Sequence, residues 1–167
     1  MDFMKKEVML IIALFLMVFM VGSVMAIQIN PGDKSQFFSS CEVSGIPSNI
    51  NIEHAYNVTI NAKYYLNRED VYPISKCLNK ALTFNIQLYE DDPWPDSEDL
   101  INTAIFSPTT FYLTSVNCGN NYIEFSAIAQ DVILADYPDW WGGPEFMGYI
   151  VRPLGGGNEY CVTNLVY

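Results

Sequence analysis

An alternation of apolar and polar positions with a period of two runs through most of the chain. In residues 56–66, Val58, Ile60, Ala62, Tyr64 and Leu66 fall on one face, and Asn57, Thr59, Asn61 and Lys63 fall on the other. That is the signature of a strand buried on one side. Residues 81–90 repeat it, with Leu82, Phe84, Ile86 and Leu88 inward and Thr83, Asn85, Gln87 and Tyr89 outward. Further strands are expected at residues 36–43, 109–116, 122–129, 146–152 and 160–166, each flanked by Gly, Pro, Asn or Asp. No segment sustains a helical period. Short helical turns are expected only at residues 75–81 and 97–103, the latter with Asp96 as N-cap. The pattern predicts an all-β fold, a two-sheet immunoglobulin-like sandwich of about seven to nine strands.

The N-terminus breaks this pattern. Lys5 and Lys6 precede an uncharged apolar run over residues 8–21, and small residues follow, with Val24 and Ala26 placed for a cut before Ile27. This is the layout of a secretory signal peptide, so residues 1–26 are expected to be removed and residues 27–167 to form one secreted domain. The alternative is retention as a membrane anchor, because residues 8–29 carry no charge and at ~1.5 Å per residue reach across a core of ~30 Å. Only in that case is a membrane a partner.

Charge and cysteines refine the picture. The formal net charge is −11. Lys5, Lys6, Asp2 and Glu7 cancel within the leader, so the mature part keeps the whole excess. Such a surface opposes nucleic-acid phosphates and anionic lipid heads. Cys41, Cys77, Cys118 and Cys161 are spaced 36, 41 and 43 residues apart, without the close pairs of a zinc site. In an exported chain they read as two disulfides. Three pairings are possible, and Cys41 with Cys161 and Cys77 with Cys118 is the one expected.

Two segments concentrate chemistry. Residues 90–99 hold Glu90, Asp91, Asp92, Asp96, Glu98 and Asp99 around Pro93, Trp94 and Pro95. Crowded carboxylates repel one another unless solvated or neutralised by a cation, and Ca²⁺ accepts six to eight oxygens in a flexible geometry. Asp91, Asp92, Asp96 and Asp99 are the candidate calcium ligands, against the plainer reading of a solvated acidic loop. Residues 136–146 hold Tyr137, Trp140 and Trp141 among Asp136, Asp139 and Glu145. These aromatics are candidates for contact with a partner protein or a glycan, against a plug over an open end of the sandwich. Catalytic motifs are not recognised: His54 is the single histidine and no nucleophile accompanies it. Leu154-Gly155-Gly156-Gly157-Asn158 lacks the Lys of a phosphate loop and reads as a hairpin turn.

Ile29-Asn30-Pro31-Gly32-Asp33, the strand at residues 56–66, and Asn121-Tyr122-Ile123-Glu124-Phe125-Ser126-Ala127-Ile128-Ala129-Gln130-Asp131 together resemble extracellular immunoglobulin-like sandwiches of the fibronectin type III and bacterial adhesion (CARDB) kind. The resemblance implies a cell-surface domain that works by binding or adhesion rather than catalysis. Residues 89–101, ending in Asp99-Leu100-Ile101, also look like the acidic loop of calcium-dependent phospholipid-binding sandwiches, although Asn102 replaces that motif's glycine. The expected function is therefore a secreted or cell-surface binding or adhesion protein, possible calcium stabilisation included. A small carbohydrate-binding module or hydrolase, and a structural envelope or filament subunit, remain as alternatives.

Overall fold

The computed structural model describes residues 30–51, 54–91, 99–134, 145–153 and 159–166, so the leader-like residues 1–26 lie outside it. The described chain is mostly strand in antiparallel sheets. In order, β1 is Phe38–Ser44 and β2 is Ala55–Tyr65; a helical turn α1 (Arg68–Val71) and a 3-10 turn (Ile74–Lys76) follow. Then come β3 (Ala81–Thr83), β4 (Asn85–Glu90), β5 (Asp99–Leu100), β6 (Phe106–Ser107) and β7 (Thr110–Tyr112). A second short helix α2 (Ser115–Asn120) leads into β8 (Tyr122–Ile133), β9 (Phe146–Arg152) and β10 (Glu159–Val162). One sheet has the order β1-β2-β8-β6, the other β10-β9-β4-β5, and β3 pairs with β7.

The alternation read from the sequence places the core. Val58, Ile60, Ala62, Tyr64 and Leu66 are buried, as are Leu82, Phe84, Ile86 and Leu88. Each large apolar side chain buried in this way contributes roughly 1.5–3 kcal/mol. The two faces meet: Phe84 stacks on Phe125 of β8 with centroids 4.5 Å apart and packs edge-on against Tyr64 at 5.5 Å. Gly148 of β9 is a glycine for the same reason, since a Cβ there would sit 2.6 Å from Ile60 Cδ1.

Both flanks of the sheets are stitched by segments that change partners. On one flank the strand at residues 81–90 pairs first with β7 and then with β9 and β5, and Phe84 N–H donates to the Thr109 carbonyl at 2.9 Å. The opposing segment does likewise: β6 pairs with β8 and β7 with β3, divided at Pro108, which has no N–H to donate. On the other flank, Ser35 N–H donates to the Tyr160 carbonyl at 2.8 Å, and three residues later the chain joins β2 as β1. A disulfide between Cys41 and Cys161 fixes that flank, and a second joins Cys77 to Cys118. This is the expected pairing. Two bridges are consistent with an oxidising, extracytoplasmic environment.

Local capping explains where the expected elements changed. The strand expected to run to residue 116 stops at Tyr112 because Thr114 and Asn117 form a reciprocal capping box. Thr114 Oγ1 accepts from Asn117 N–H at 3.3 Å, and Asn117 Oδ1 accepts from Thr114 N–H at 2.9 Å. Of the helical turn expected at residues 97–103, residues 97–98 lie outside the described residues, Asp99–Leu100 is strand, with Leu100 opposite Tyr89 and Asp99 opposite Glu90, and a turn follows at residues 102–103. Pairing along the free edge of β4 outweighs the local helical preference there. The turn expected at 75–81 appears one residue earlier and shorter, at Ile74–Lys76.

Candidate functional site

The strand directions define two ends of the molecule. β2 ends, β8 begins and β9 ends at one of them, through Tyr65 opposite Tyr122 and through Arg152; the reverse termini lie at the other. The 12 residues of β8 separate these ends by roughly 36 Å at about 3.3 Å per residue.

The helical end is organised by a buried ionic cluster. Asn67 caps α1, its Oδ1 accepting from Asp70 N–H at 3.0 Å while Asp70 Oδ2 accepts from Asn67 N–H at 3.1 Å. Asp70 is then presented inward, only 1% exposed, to Arg152, which is 3% exposed. The guanidinium donates to both Asp70 oxygens, a bidentate match of planar groups. It also donates to Tyr64 Oη at 2.5 Å, and Tyr64 donates onward to Glu159. Asn67 Nδ2 donates to the other Glu159 oxygen at 2.8 Å, and Lys80 Nζ lies 3.0 Å from Asp70 Oδ1. Two acids face two bases around one phenol. Burial pushes Asp70 up, but the Arg152 hydrogen bonds and charge, then Lys80 and the Asn67 amide, hold it below the usual carboxylate range. Burial and the bond to Glu159 raise Tyr64 far above an ordinary phenol, so it stays a neutral relay.

This cluster holds α1 against β2, β9 and β10, and the Cys77–Cys118 bridge holds the 3-10 turn against α2. Between them lies a groove of about 610 Å³ lined by Val71, Ile74, Cys77, Leu78, Cys118 and the Ser75 and Ser115 side. Two of its apolar side chains face solvent, Ile74 at 80% and Leu78 at 53% exposed, and the same turns carry the exposed Tyr72 (68%) and Val116 (65%). Contiguous apolar surface on an acidic protein marks a contact surface more often than chance exposure. Arg68 lies over the Tyr72 ring at 5.5 Å, and Lys76 is in the 3-10 turn beside Ile74. Neither makes an ion pair among the described residues.

The two segments singled out by sequence meet at the opposite end. Asp91 N–H donates to the Glu145 carbonyl at 2.8 Å, Glu90 is opposite both Asp99 and Phe146, and Glu90 is buried. Glu145 is raised by burial and then by the Asp91 charge. Asp99, Glu90, Ile101, Thr103 and Ile133 line a second cleft of about 590 Å³. Of the candidate calcium ligands, Asp91 and Asp99 are described, while Asp92 and Asp96 lie outside the described residues, as do Tyr137, Trp140 and Trp141. Among the described residues, no three His, Cys, Asp or Glu are grouped to hold a metal ion. His54 is exposed just ahead of β2.

Sequence reading missed Tyr64, Asp70, Arg152 and Glu159 as a unit, and it missed the groove. The signals were present: Asn67-Arg68-Glu69-Asp70 is a capping box, and Arg152 occupies an inward position in register with Phe146, Gly148 and Ile150. No protein-family model, curated protein or solved structure matches the chain.

Proposed function

We propose that this chain is a secreted or cell-surface binding domain on an immunoglobulin-like sandwich, and that it engages a protein partner through the apolar groove at its helical end. The groove itself carries the reading: the exposed apolar side chains of Ile74 and Leu78 line it together with Val71 and the Cys77–Cys118 bridge. Their scaffold is fixed before any partner arrives, by the disulfide on one side and the Arg152–Asp70 pair on the other, so little ordering is required on binding. Large apolar contacts with few convergent polar groups suit adhesion to a protein surface better than chemistry.

Position supports the same reading. Residues 32 and 162–163 are hydrogen-bonded neighbours, and Val166 pairs with Phe146, so both ends of the described chain leave from the acidic end. The groove lies at the other end of the strands. Strand succession supports the sandwich: β1-β2-β8-β6 against β10-β9-β4-β5 follows the order of the two sheets of immunoglobulin-type domains.

The test is binding of the fluorescently labelled protein to the surface of the cells that produce it. Ile74→Asp and Leu78→Asp alter exposed side chains that line the groove and should each reduce binding about tenfold or more while the thermal melt is unchanged. Ile105→Asp, at a side chain that is 78% exposed but away from the groove, should bind as wild type. Equal binding by all of these proteins would refute the groove as the contact surface.

A further inference from the structure

We infer that one partner of the groove is the acidic end of a second copy of this chain, giving a head-to-tail contact that repeats along a line. The inference rests on the groove being a binding surface and names what fills it. Charge complementarity within one molecule carries it. The turns that supply the groove's lining also carry cations: Arg68 opens α1, which ends at the lining residue Val71, and Lys76 falls between the lining residues Ser75 and Cys77; neither makes an ion pair among the described residues. The far end presents Asp91, Asp99 and Glu145, and no Lys or Arg occurs anywhere between Lys80 and Arg152.

The acidic end also has apolar surface to offer. Leu100 is 39% exposed on β5 and Ile133 is 47% exposed at the end of β8, beside the cleft that Asp99 and Thr103 help to line. An apolar surface among carboxylates thus lies at one end, and an apolar groove on turns that carry Arg68 and Lys76 at the other.

Geometry then selects the mode of contact. The two surfaces are separated by the roughly 36 Å length of β8, so they cannot meet within one molecule. Acidic end against acidic end brings carboxylates together, and groove against groove gains little because Arg68 already lies beside Glu69. Groove to acidic end sets Arg68 and Lys76 against Asp91, Asp99 and Glu145. Such a heterologous contact does not close on itself as a two-fold dimer does, and it extends into an open chain.

The test is the mass of the purified full-length secreted protein, measured by light scattering and sedimentation from about 1 µM to about 1 mM, in low salt and again in about 0.5 M NaCl. The proposal expects mass to grow with concentration without stopping at a dimer and to fall as salt shortens the Debye length. Ile74→Asp with Lys76→Glu disables the groove and leaves the acidic end intact. Asp99→Lys with Glu145→Lys disables the acidic end and leaves the groove intact. Each should be monomeric alone, with association weakened at least about tenfold. Mixed, the two should form a one-to-one heterodimer that cannot extend. A wild-type protein that stays monomeric throughout overturns self-association; if Ile74→Asp still abolishes cell binding, the groove then serves a different protein and the preceding reading stands. A wild-type dimer that never grows, with no heterodimer on mixing, overturns the head-to-tail mode.

Discussion

Replacing Arg152 by Met tests whether the buried ionic cluster fixes the helical end. The side chain is 3% exposed, and its removal leaves Asp70, whose own side chain is wholly buried, with the Asn67 amide at 3.1 Å and Lys80 at 3.0 Å as its one charged partner; Tyr64 loses a donor at 2.5 Å. Removing one member of a buried pair typically costs about 3–5 kcal/mol, because the remaining charge is left without compensation. That is a large part of a stability of order 5–15 kcal/mol. Urea unfolding at a series of pH values gives the size and the sign. In the wild type, Asp70 is held below its ordinary carboxylate range by Arg152 and Lys80 against the burial that raises it. Its contribution is therefore present above the unfolded value near 3.8 and is lost as pH falls through the lower folded value. With Arg152 gone, burial dominates and raises Asp70, so acidification from neutral pH should recover more stability in the variant than in the wild type, where Asp70 contributes no such gain. Arg152→Met combined with Asp70→Asn removes both charges and should be less destabilised than the single changes added together. A loss under about 1 kcal/mol, with a pH profile parallel to the wild type, would mean that the cluster is not what secures α1 to β9.

Other positions give independent checks. Gly45 has φ +91°, and a Cβ there would lie 2.1 Å from the Asn57 carbonyl oxygen, so Gly45→Ala should cost at least about 2 kcal/mol in a denaturant titration. Glu145 is raised by burial and by Asp91, so its ionised form opposes folding at neutral pH: Glu145→Gln should stabilise by about 0.5 kcal/mol at pH 7, with the gain vanishing below pH ~4 as the carboxyl protonates. Replacing Cys77 and Cys118 by Ala opens a loop of 41 residues, worth about 4 kcal/mol in the chain-entropy model, and should weaken groove binding even at temperatures where the core stays folded. A calcium site on Asp91, Asp92, Asp96 and Asp99 with a Kd near 0.1 mM predicts a melt about 5–11 °C higher in ~10 mM Ca²⁺ than in EDTA, absent in Mg²⁺ and in Asp91→Asn with Asp99→Asn; an equal rise in NaCl of the same ionic strength would leave only screened repulsion.

What the sequence revealed and concealed divides along a physical line. Alternation is a local property, so the inward faces of β2, β8 and the β3–β4 strand could be read directly, and each of Val58, Ile60, Phe84 and Leu88 is buried as its parity requires. Partner exchange along a strand has no such signal: the switch at Phe84 depends on which chain lies alongside, and only Pro108, lacking a donor, hints at the matching switch across from it. The ionic cluster draws Tyr64, Asp70, Arg152 and Glu159 from separations of up to 95 residues. Nothing local to Arg152 distinguishes an inward guanidinium from an exposed one, and parity is the single clue. The groove was hidden for a related reason, since its lining comes from two short turns that become neighbours through the Cys77–Cys118 bridge and the backbone pairing of residues 79–81 with 112–113.

The distribution of charge changes what the net charge means for binding. A chain of −11 reads as one that repels anionic surfaces everywhere. The register instead gathers Lys63, Arg68, Lys76, Lys80 and Arg152 at the helical end, against Glu69, Asp70, Glu124 and Glu159. Among the described residues that end is close to neutral, while Glu90, Asp91, Asp99, Asp131 and Glu145 lie toward the other. At physiological ionic strength the Debye length is about 8 Å, and the ends are roughly 36 Å apart, more than four screening lengths. A molecule docking on the groove therefore meets Arg68 and Lys76 and almost none of the distant carboxylates. Lowering the salt restores the long-range field, which orients an approaching copy with its acidic end toward the groove before contact. Association at the groove should consequently depend on salt through its rate of formation more than through its rate of dissociation, and a dissociation rate that changed most would place the charges inside the contact rather than at its rim.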